Sequence, residues 1–123
     1  MADPRHALGQ KAERRVASWL SASGWRILAE RHRSGGAEID VVALDPHRVL
    51  VAVEVRVRRS GRSGNAVESV RTEKVVRLRS ALTAYARATP IDHHGLRVDL
   101  VAMSPGPEPR TWRLRRLPGV DAW

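Results

Sequence analysis

The sequence predicts an α/β fold, a mixed central sheet flanked by helices, because the spacing of its apolar residues changes period along the chain. An opening stretch repeats apolar residues three and four apart. Two central runs are rich in valine, and a second helical stretch separates them from two further strands. With 123 residues, the chain fits one compact domain spanning 1–123, large enough for one core and therefore for one site.

Asp3 and Pro4 form a cap and first-turn pair, after which Leu8, Ala12, Val16, Trp19 and Leu20 recur at helical spacing until Gly24. Trp25 to Ala29 reads as a short strand. The Ser34-Gly35-Gly36 turn leads to a stronger strand, Glu38 to Leu44, and Asp45-Pro46-His47-Arg48 turns the chain into Val49 to Val57. These last two strands make a hairpin. Arg58 to Gly64 is basic, glycine-rich and without apolar anchors, so it reads as a surface loop. Asn65 and Glu68 resemble a capping box, and Val75, Leu78, Leu82 and Tyr85 mark a helix that ends before Pro90, with a break expected near Arg71 to Glu73. Leu96 to Met103 and Thr111 to Leu117 complete the order α-β-β-β-α-β-β, the last strand the more exposed.

Composition narrows the partners. Lys and Arg number 22 against 13 Asp and Glu, a net charge of +9, which favours a polyanion, nucleic acid most commonly and an anionic membrane surface as the alternative. The absence of cysteine excludes disulfides, thiolate metal sites and a cysteine nucleophile. Charges interrupt the first fifteen residues, and no later run is long enough to span a membrane, so the expectation is a cytoplasmic protein with no membrane partner.

Strand geometry makes Glu38 and Asp40 point together, and likewise Glu54 and Arg56. Pairing Leu44 with Leu50 sets Val42 opposite Ala52, Asp40 opposite Glu54 and Glu38 opposite Arg56. Facing carboxylates among apolar strand residues repel unless a cation or proton lies between them. Hard oxygen ligands select Mg²⁺ or Mn²⁺, and Arg56 beside them would stabilise charge on a reacting phosphate. The same spacing also fits solvated strand-end acids paired with nearby arginines.

Gly9-Gln-Lys-Ala-Glu13, Gly36-Ala-Glu-Ile-Asp40 and Val53-Glu-Val-Arg56, in this order and spacing, resemble the YraN family of bacterial proteins. That family is similar to the PD-(D/E)XK nucleases close to Holliday-junction resolvases. The resemblance runs from about Gly9 to Val101 and implies a nuclease-like domain with a restriction-endonuclease-like αβββαβ core. It further implies that Asp40 and Glu54 are metal ligands, that Glu13 completes the metal site, and that Arg56 stands at the catalytic lysine position. A lysine there is a compact charge that can lose its proton, whereas arginine stays charged and planar. This departure bears on catalysis more than on metal or nucleic-acid binding. The chain has only two lysines, Lys11 and Lys74, and Lys74 is the candidate substitute, against a reading as a solvent-facing helix lysine. An alanine inserted between Gly36 and Glu38 also departs from the usual pattern.

Arg58, Arg59 and Arg62 follow the site strand, where they would grip phosphates on either side of a cleavage point or form a solvated basic loop. His93-His94 has no third ligand at a recognisable spacing, and Asp99 reads as structural. The four tryptophans read as core or edge residues, with no continuous aromatic platform for single strands. The function expected is a metal-dependent nuclease acting on DNA more than RNA, a homodimer by analogy with junction-cutting enzymes. The alternatives are an inactive nucleic-acid-binding module on the same scaffold and a basic protein docking on ribonucleoprotein.

Overall fold

A computed structural model describes residues 4–58 and 72–122, and the side chains from 9 onward within them. The elements are α1 (Pro4–Ala22), β1 (Arg26–Ser34), β2 (Ala37–Leu44), β3 (Leu50–Val57), α2 (Thr72–Ala88), β4 (Leu96–Pro105) and β5 (Trp112–Leu117), followed by a 3₁₀ turn at Val120–Ala122. The strands form one sheet in the order β1-β2-β3-β4-β5. Only β3 and β4 run parallel, as the crossover through α2 requires, and the other neighbours are antiparallel. This is the restriction-endonuclease-like αβββαβ arrangement, with β5 added at the edge.

Each face of the sheet is buried under one helix. Ala12, Val16, Ala17 and Leu20 of α1 pack with Val41, Ala43, Val51, Val53 and Val101. Leu78, Ala81, Leu82 and Tyr85 of α2 pack on the other face with Val42, Leu44, Ala52, Val98 and Leu100. Burial on both sides explains why β2 and β3 read as near-continuous valine runs. Trp19, expected on the inward line of α1, is instead 36% exposed, because Ala17 and Leu20 complete the buried stripe. α1 stops at Gly24, whose φ of 91° lets Gly24 N–H reach Ser21 O (3.1 Å) and Trp25 N–H reach Leu20 O (3.1 Å).

The Leu44–Leu50 and Val42–Ala52 pairs are as the sequence predicts, and the ladder ends one step later at Val41–Val53. β1 is longer than Trp25 to Ala29, because its polar second half continues to pair with β2 as far as Ser34–Ala37. Within this pairing both strands change face at one point. Val41 belongs to the α1 side, yet Ile39, two residues away, belongs to the α2 side. Opposite this break Arg31 has φ 52°, the left-handed region that bulky residues rarely adopt. The Asp3 cap, Arg59, Arg62 and the Asn65–Glu68 box lie outside the described residues.

Candidate metal centre

The break in β2 falls at Asp40, where the β2–β3 ladder has just ended. In place of a strand carbonyl, Asp40 Oδ2 accepts the backbone N–H of Val55 at 2.8 Å. The carboxyl is thereby fixed by the backbone and turned toward Glu54, which is only 5% exposed. Glu13 arrives from α1, so Asp40 meets both glutamate carboxyls. Burial, the Glu54 contact and the Glu54 charge push the Asp40 carboxyl up to about 9, against the lowering effect of the Val55 N–H. Glu13 is also raised, by burial first and by the charges of Glu38 and Glu30, although Arg31 and contact with Asp40 pull it down.

Two cations border the cluster. Lys74, at the start of α2, places Nζ 2.9 Å from Glu54 Oε2 as an ion pair outside hydrogen-bond geometry. Arg31 Nε lies 3.2 Å from Glu38 Oε1 and 3.7 Å from Glu13 Oε2. The Glu38–Arg56 pairing expected from the hairpin does not form. The ladder stops before it, and Glu38 pairs across to β1 instead. Arg56 lies two residues beyond Glu54 on the same strand, half-buried, and its Nε and that of Arg58 are buried without hydrogen bonds among the described residues.

The donors suit a hard divalent cation. Glu13 Oε2 and Glu54 Oε2 are buried without hydrogen bonds among the described residues, and Asp40 lies between the two side chains. Among the described residues no group of three or more Asp, Glu, His or Cys side chains is placed to hold a metal ion together. An open set of one or two carboxylates, completed by water and substrate, is how Mg²⁺ is commonly held.

Arg31 is the site residue that sequence reasoning missed, since nothing in its identity announces a left-handed strand residue. Asp99 is structural: fully buried, it accepts from Arg97 (2.7 Å), Arg116 (2.9 Å) and Gly119 N–H (3.0 Å), and both guanidiniums lie over the Trp25 ring. His93 contacts the backbone of Gly95. No helix among the described residues is long and apolar enough to cross a membrane.

Comparison with known proteins adds a family. Residues 12–103 match the model of the uncharacterised protein family UPF0102. A UPF0102 protein of Anaeromyxobacter dehalogenans is 42% identical over 113 residues, covering 88% of this chain and 81% of the relative. One from Renibacterium salmoninarum is 38% identical over 117 residues, covering 89% and 94%. One from Chlorobium phaeobacteroides is 37% identical over 98 residues, covering 80% and 77%.

Proposed function

This chain belongs to the uncharacterised protein family UPF0102, the YraN family of the sequence resemblance, and from that premise we propose that it is a metal-dependent nuclease hydrolysing phosphodiesters of DNA, branched or junction DNA included. The observation that carries the reading is the meeting of Glu13, Asp40 and Glu54, drawn from three elements into one half-buried cluster. Carboxyls so placed cannot all be ionised at neutral pH without a cation between them, and in its absence Asp40 holds a proton.

Asp40 and Glu54, with Glu13 beside them, would hold Mg²⁺ or Mn²⁺. When bound, the metal supplies Lewis acidity toward a phosphate oxygen and lowers the pKa of water. The chain's own groups do the rest. The Val55 N–H fixes the direction of Asp40, so this ligand needs no reorganisation when substrate arrives. Lys74 sets a compact ammonium against Glu54 and serves as the lysine that the strand position lacks. The Arg56 guanidinium stabilises the phosphate as negative charge grows on it. Arg58, Arg59 and Arg62 bind phosphates that flank the cleaved bond.

The test is cleavage of labelled linear, flapped and four-way-junction DNA with Mg²⁺ or Mn²⁺, comparing the native protein with Asp40→Ala. We expect cleavage by the native protein and a loss of about 100-fold or more in the variant. Full cleavage by Asp40→Ala overturns the assignment. A second reading, a binding module without turnover, is favoured by Arg56 at the lysine position. It predicts salt-sensitive DNA binding without cleavage under any divalent ion.

A further inference from the structure

The acidic cluster opens to solvent beside α1. A cleft of about 220 Å³, lined by Gln10, Glu13, Arg14, Glu30 and Arg31, leads out between α1 and β1. Arg14 also lines the next concavity, about 440 Å³, with Lys11, Arg15 and Ser18 on the outer face of the helix. Lys11 and Arg15 then border a small slot of about 100 Å³ whose remaining walls are Ala12, Val57, Met103 and Trp112. Shared residues make these three hollows one continuous path across α1, from the acids to the β5 edge.

Along α1 itself the cations of this path make no ion pair among the described residues. Lys11, Arg14 and Arg15 lie at i, i+3 and i+4, so they share one helix face, and all three are exposed. None makes an ion pair with another described residue, whereas Arg48 and Arg79, equally at the surface, are held by Asp92 and Asp121. Three free cations in line fit a row of phosphates. The slot at the far end has the opposite character: three apolar walls and an indole, with cations only at its mouth. An unpaired base stacks on such an indole while its phosphates stay on the cations outside. A fully paired duplex has no base free to enter.

We propose that the outer face of α1 is the track of a single DNA strand, with phosphates on Lys11, Arg14 and Arg15 and one unpaired base seated against Trp112. The inference rests on the nuclease reading and narrows its substrate to DNA with an unpaired segment next to the cleaved bond. It differs from the continuous aromatic platform of general single-strand binders, because one slot takes one base.

The test measures binding of the full chain to a fluorescein-labelled thymidine oligonucleotide and to a blunt duplex, with EDTA present to prevent cleavage, over a range of salt. Joint substitution of Lys11→Gln, Arg14→Gln and Arg15→Gln is expected to weaken single-strand binding about tenfold or more, and to reduce the slope of log affinity against log salt by about 2. Trp112→Leu, which keeps the slot apolar, is expected to weaken binding about fivefold or more without changing that slope, and Trp112→Tyr to restore most of the affinity. A triple variant with native affinity and slope overturns the track, as does Trp112→Leu binding as tightly as the native chain. If either occurs while native DNA cleavage persists, the nuclease reading stands and only the path fails. Native protein that binds no DNA at all overturns both.

Discussion

Asp40 is useful to the site because the strand around it is irregular, and Arg31 shares that irregularity. The left-handed φ of Arg31 turns β1 at the point where β2 changes face, so Asp40 is directed at Glu54 while Ile39 reaches the opposite core. Holding an L-residue there costs about 1–2 kcal/mol. Two substitutions separate this backbone cost from the ion pairs that Arg31 makes with Glu38 and Glu13. Arg31→Ala and Arg31→Gly both delete the side chain, but only glycine relaxes the backbone. Arg31→Gly should therefore melt above Arg31→Ala by about 4 °C, for a difference of about 1 kcal/mol in a domain of this size. Equal melting temperatures would mean that the turn carries no strain. The contrast between these residues also explains what the sequence could reveal. Asp40 and Glu54 stand out because acids interrupt runs of valine, and the pairing from Leu44–Leu50 toward them follows from the hairpin. Arg31 carries no such mark, since left-handed strand positions normally announce themselves as Gly or Asn.

At the scale of elements, the site depends on how α2 is seated. Leu78, Leu82 and Tyr85 fix the face that α2 turns to the sheet, and that much is legible from their spacing. Lys74, four residues before Leu78, lies on the same face where the apolar residues have run out, so its spacing points to the sheet and only its charge suggests solvent. The turn between β1 and β2 bears on the outcome. At Gly35, φ is +55° and an added Cβ would stand 3.0 Å from Ala81 Cα and 3.3 Å from Ser80 O, both backbone atoms of α2. The turn and helix are thus in direct backbone contact, seven residues along α2 from Lys74. Gly35→Ala should cost roughly 1–3 kcal/mol from conformation and displaced backbone together. It should also reduce metal-dependent cleavage, because a helix pushed away from the turn withdraws Lys74 from Glu54. Melting and cleavage assays on the same variant check this. Lost stability with undiminished cleavage would show that the contact supports the fold and not the position of Lys74.

For the whole molecule, two carboxyl groups, one in the middle of β2 and one just after it, give stability opposite dependences on pH. Asp45 is buried, which alone would raise its carboxyl, but the Val49 and His47 N–H groups and the Arg97 guanidinium together hold it below the usual range. A lowered folded pKa contributes stability that is present above the unfolded value and lost as pH falls through the folded one. Asp40 has the opposite sign. Its folded carboxyl, at about 9, retains a proton that the unfolded chain releases near its ordinary value. Its favourable contribution is complete below that ordinary value and declines as pH rises toward about 9. Without divalent metal, stability should therefore peak in mildly acidic solution and fall on both sides. The two limbs have different remedies. Asp45→Asn removes the specific loss on the acid side while also lowering the peak, since the Arg97 ion pair goes with the charge. Asp40→Asn flattens the alkaline limb and raises the melting temperature near neutrality, because folding no longer has to take up a proton there. Millimolar Mg²⁺ should flatten the same limb in the native chain and do nothing further in Asp40→Asn, since binding to the folded state alone is what stabilises it. Thermal melting between about pH 2 and about pH 9, with and without Mg²⁺, reads all of these together. A metal-free profile that stays level from about pH 4 to about pH 9 would mean that the three carboxyls are hydrated and apart, and would remove the physical reason for a cation between them.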